Sequence, residues 1–81
     1  MKRYYFDIRS GEEIIPDEEG LELSTLEKAQ EEAARSLADM ARDAIRNEGS
    51  GQSHLMAIEV RDDSGPVLDV KFTFEVDRHR Y

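Results

Sequence analysis

Cysteine and tryptophan are absent from the 81 residues, and only two prolines and five glycines break the chain. Without thiols there is no disulfide framework, no Cys-ligated zinc site and no thiol chemistry. No apolar run approaches the ~18–20 residues that cross a bilayer. Met1-Lys2-Arg3 leads directly into Tyr4-Tyr5-Phe6-Asp7 with no hydrophobic signal region, so a cytoplasmic protein without membrane contact is expected. Bases are scarce too, 11 against 19 acids, for a net charge of −8. That is the wrong sign for phosphate backbones, so no nucleic-acid partner is expected. Catalytic patterns are also missing. No serine or threonine sits in a nucleophile elbow, and Gly49 and Gly51 are followed by Gln52-Ser53-His54 rather than the Lys-Ser/Thr of a phosphate loop. His54 and His79 have no ligand spacing between them. The balance leans against an enzyme without deciding it, and no cofactor is expected.

What remains is a short chain with regular patterning. Apolar residues make up 38% and charged residues 37%, but both signs are mixed and the hydrophobic periodicity is clear, which favours a folded chain over disorder. The length supports one small domain, residues 1–81. Over 3–9, Tyr4, Phe6 and Ile8 alternate with Tyr5, Asp7 and Arg9, the period of a half-buried strand. A second strand is expected over 13–17, at an edge because Pro16 cannot donate to a ladder. Leu21 and Leu23 then lead into a helix at 25–47, with Ser24 and Glu27 forming a capping box. Leu26, Ala29, Ala33, Leu37, Met40 and Ala44 mark its apolar face, and Lys28–Glu32, Glu31–Arg35 and Arg35–Asp39 are opposite-sign pairs at i,i+4. Residues 48–53 form a loop. Strands follow at 54–61 and 67–76, joined by the Asp62-Asp63-Ser64-Gly65 turn, with Val67 on the face opposite Leu68 and a frayed tail at 77–81.

The order β-β-α-β-β gives an α+β two-layer sandwich: a four-stranded antiparallel sheet in the order 2-1-3-4, covered on one face by one long helix. The helix exceeds that need in two respects. At ~1.5 Å per residue it spans about 34 Å, about 11 Å more than a seven-residue strand. Ala34, Ala38, Ala41 and Ile45 also form a second stripe beside the first. Either the stripe packs on another helix, most simply a twin subunit's, or it reflects only the helix propensity of alanine.

Six acids and no base lie between Glu12 and Glu22. Clustered carboxylates can hold Ca²⁺ or Mg²⁺, which makes Asp17, Glu18 and Glu19 the candidate metal ligands, or can steer a basic protein partner. They can equally keep an edge strand soluble.

Three segments carry a resemblance: Arg3-Tyr4-Tyr5-Phe6-Asp7-Ile8-Arg9, Asp17-Glu18-Glu19-Gly20-Leu21-Glu22-Leu23 with the Leu26-Glu27-Lys28-Ala29 helix start, and Ile58-Glu59-Val60-Arg61-Asp62-Asp63-Ser64-Gly65. In these the chain resembles a family of small uncharacterised proteobacterial proteins grouped as a domain of unknown function. The resemblance implies no activity and transfers no catalytic residue. The acidic loop and helix start are also similar to the antitoxin subunits of toxin–antitoxin pairs, without their DNA-binding segment. The leading expectation is a protein-interaction module, homodimeric through its long helix at Ala34, Ala38, Ala41 and Ile45. The alternative is a small-ligand or divalent-metal binder at the 17–19 loop.

Overall fold

The structure, a computed structural model, describes residues 1–48, 54–75, 77 and 79. The expected 48–53 loop beyond Glu48, the strand position Val76 and most of the expected tail lie outside the described residues. Along the chain run β1 (Lys2–Ser10), β2 (Glu13–Ile15), β3 (Leu21–Leu23), α1 (Leu26–Glu48), β4 (His54–Asp62) and β5 (Gly65–Phe74). They form an α+β fold in which one helix packs on an open antiparallel sheet.

The sheet has five strands rather than the expected four in the order 2-1-3-4. β2-β1-β4-β5 lie side by side, and β3 pairs with β1 off that path. Leu21–Leu23, expected only as a lead-in to the helix, is the additional strand. Two three-residue strands thus share β1: Ile15 faces Ile8 near its end, and Leu21 faces Tyr4 near its start. Pro16 and the Asp17–Gly20 loop separate them, which confines β2 to Glu13–Ile15 instead of 13–17.

Three further expectations are corrected by local geometry. The helix is capped by Thr25 rather than Ser24: the Lys28 N–H donates to Thr25 Oγ1 at 3.1 Å, the N-cap-to-N3 bond. Leu26 consequently falls in the first turn, 46% exposed, instead of covering the sheet. On the helix surface the ion pairs use i,i+3 spacing, Lys28–Glu31, Glu32–Arg35 and Asp39–Arg42, all solvent-facing. Finally, a bulge shifts the β4–β5 register between Val60 and Arg61, so that Val60 faces Leu68 but Arg61 faces Pro66. The extra residue, Val67, packs against the core beside Leu68, not on the opposite face.

The core lies between α1 and the strands β1 and β4. Tyr4, Ala29, Ala33, Leu37, Ala41, Met56, Ile58 and Val60 are buried together, with Phe6, Leu23, Met40, Leu68, Val70 and Phe72 packed around them. Three of the four buried helix positions are alanine, so the helix backbone comes close to the sheet. α1 rests on β4 and β5, with its start near β3. Because β5 has ten residues, about 33 Å at ~3.3 Å each, it nearly matches the helix in length. The surplus apolar surface of α1 is therefore along its flank rather than at an overhanging end.

Candidate functional site

The flank of α1 and the outer strand β5 enclose an open groove of about 760 Å³. Ala34, Leu37, Ala38, Ala41 and Ile45 supply its helix wall, Val70 and Phe72 its sheet wall, and Arg42, Arg46 and Lys71 its basic rim. All four residues expected at an interface line this one groove. Ala34 and Ala38 are exposed and Ile45 is 40% exposed, whereas Ala41 is buried in the core at the groove floor. Their spacing of four, three and four residues is that of a heptad seam, the pattern by which two helices interlock. Lys71 belongs to the opposite face of the sheet, yet it also lines the groove. The groove thus opens onto the outer edge of β5, which pairs only with β4 among the described residues. The α1 stripe is visible in the sequence, but its position beside Val70 and Phe72 of β5 is not, because it depends on how α1 crosses β4 and β5.

The opposite face of the sheet carries a second cluster. Arg61 on β4 donates from Nε to Asp7 Oδ2 on β1 at 2.9 Å and from Nη2 to the Asp17 carbonyl at 2.9 Å. Its guanidinium also stacks over the Tyr5 ring, 4.5 Å from the centroid. Asp7 in turn accepts the Asp17 N–H at 2.9 Å. The Asp17 carboxylate accepts three backbone N–H groups, from Phe6 at 3.1 Å, Glu19 at 3.1 Å and Gly20 at 3.2 Å. Burial pushes this carboxyl's pKa up, but the three N–H bonds and the Arg61 charge outweigh it and hold the group below the usual Asp range. Arg3 closes the loop from outside, donating to the Glu19 carbonyl and to Glu22. At the β4–β5 turn, the Ser64 N–H and the Lys2 ammonium lower the Asp62 pKa against an opposing contribution from burial.

Of the three candidate metal ligands, Asp17 therefore directs its carboxylate at its own backbone, and Glu18 and Glu19 are exposed beside it. Among the described residues, no group of three or more His, Asp or Glu side chains is gathered as metal ligands would be. Below this lock, cross-strand register puts Asp7, Glu59 and Asp69 in one row. Like charges directly opposite one another repel. Each acid is relieved by a base from a neighbouring row: Asp7 by Arg61, Glu59 by Arg9 and Asp69 by Lys71.

The lock draws on all three segments that carry the family resemblance, and the comparison with known families agrees with that likeness. Residues 3–73 match the family described as Domain of unknown function (DUF6894). The chain belongs to this family. Membership brings no activity, ligand or partner with it, and the antitoxin likeness is not part of the match. No curated protein and no solved structure matches the chain. The motifs of this DUF6894 domain find a structural use in joining β1, β4 and the Asp17–Gly20 loop, and sequence reading missed that use because Asp7 and Arg61 lie 54 positions apart.

Proposed function

We propose that the domain acts by association rather than catalysis, as a homodimeric protein-interaction module whose self-binding surface is the α1 flank. One observation carries this reading: Ala34, Ala38, Ala41 and Ile45 line a single apolar groove that the other described residues leave open. Small side chains at heptad spacing allow a second helix to approach closely and interlock. The acidic residues Glu12, Glu13, Glu18 and Glu19 remain exposed around β2 and the loop that follows it. There, opposite charge can recruit a basic protein to the dimer.

The test is substitution of Ala38 and Ile45 by Glu. Each charge falls within the proposed interface but on an accessible part of the monomer. The expected result is a monomer with unchanged circular dichroism. Loss of the fold would assign both residues to the core, and a persistent dimer would place the interface elsewhere.

A further inference from the structure

We infer that the second copy joins through the edge of β5, so that the two sheets become one across a twofold axis at Val70. This inference rests on the dimer reading and specifies its geometry. The groove opens onto the β5 edge, so a protein that fills it also meets a strand edge that no other described strand pairs with. An edge strand of ten residues is a ready template for a further strand.

The side chains select the register. In an antiparallel β5–β5 pair centred on Val70, Asp69 faces the partner's Lys71 and Lys71 faces the partner's Asp69. On the helix side, Leu68 faces the partner's Phe72, and Val70 faces its own copy. Both faces are thus complementary at once. A centre at Asp69 or Lys71 sets like charges face to face, and a centre at Phe72 opposes Asp69 to the partner's Glu75. A centre at Leu68 pairs Asp69 with the partner's Val67. Only the Val70 register matches both charges, and it also uses nearly the whole strand, leaving Pro66 near the end of the new ladder where its missing N–H matters least.

The helices fit the same axis. α1 rests on β4 and β5, so its axis stands about one strand spacing, ~5 Å, from a twofold axis at the β5 edge. Two such helices run antiparallel ~10 Å apart, within the usual range for packed helices with small side chains between them. The stripe from Ala34 to Ile45 is itself centred between Ala38 and Ala41, and these residues share the groove lining with Val70. One axis therefore serves both the strand pair and the helix pair.

The test uses the absence of native cysteine. Val70→Cys, first shown by sedimentation to remain dimeric, is treated with a short bismaleimide, with Ala38→Cys as the helix probe. In parallel, Asp69→Lys, Lys71→Asp and the double exchange are compared for dimer dissociation. The expected result is efficient cross-linking at position 70. Each single charge reversal should weaken the dimer about tenfold, and the double exchange should restore it. A dimer that cross-links at 38 but not at 70, with no rescue by the double exchange, would overturn the β5 geometry and leave the helix-mediated dimer standing. A monomeric wild-type chain would overturn both.

Discussion

The carboxylate of Asp17 stands where the backbone of a neighbouring strand would stand, accepting the N–H of Phe6 at 3.1 Å. β2 ends at Ile15 and β3 begins at Leu21, so on the side away from β4 the middle of β1 has no strand backbone beside it at this point. One side chain bridges the gap. Its other oxygen turns the loop back by accepting the N–H groups of Glu19 and Gly20.

Asp17→Ala removes the acceptor of three N–H groups, of which those of Phe6 and Gly20 lie at partly buried sites. The expected loss of stability is about 1–3 kcal/mol, the usual cost of unsatisfied polar groups. Urea unfolding of the variant against the wild type measures it. An unchanged midpoint would mean that water replaces the carboxylate without cost.

Gly20 and Gly11 both have positive φ, 72° and 61°, but their surroundings differ. A Cβ on Gly20 would meet Arg3 Cγ and Tyr5 Cε2 at 2.9 Å and the Tyr4 carbonyl at 3.0 Å, whereas one on Gly11 would meet nothing within 4 Å. Gly11→Ala should cost about 1 kcal/mol, the backbone strain alone. Gly20→Ala should cost clearly more, because the loop must also move off β1. Equal costs in thermal unfolding would show that Arg3 and Tyr5 swing aside freely.

Acid should unfold the domain through Asp17 and Asp62. Both carboxyls lie below their ordinary range when folded and return to about 3.9 when unfolded. As pH falls, the unfolded chain takes up these protons first. The stability the two groups contribute is therefore complete above about pH 4 and is lost as pH drops through their folded values. Unfolding midpoints measured from neutral to acid pH should show this decline, with a shallower slope in Asp17→Asn. An identical slope would remove Asp17 from the account.

The parts of the fold legible in the sequence are those set by local periodicity. The alternation of Tyr4, Phe6 and Ile8, the three- and four-residue spacing along α1, and the Asp62–Gly65 turn each depend on residues a few positions apart. What was not legible depends on distant partners. Leu21–Leu23 is too short to announce itself as a strand and becomes one by pairing with Lys2–Tyr4. The Ser24–Glu27 pattern favours Ser24 as the cap in sequence, yet the helix takes Thr25. The bulge at Val60 and Arg61, which brings Val67 inward, has no signature of its own. Nothing in the local pattern announces that Ala57 is buried, in register between Arg9 and Lys71. For the site, the α1 stripe was legible and its position beside the β5 edge was not. The acidic run was legible as charge, but the inward commitment of Asp17 required Arg61 and Phe6 to be placed beside it.

The central claim is that the groove between α1 and β5 is covered by a second copy of the chain. Sedimentation equilibrium of the wild-type protein over a wide concentration range, beside Ala38→Glu, tests it most directly. The account predicts a dimer that dissociates on dilution for the wild type and a folded monomer for the variant. A wild-type chain that stays monomeric at the highest concentration would contradict it.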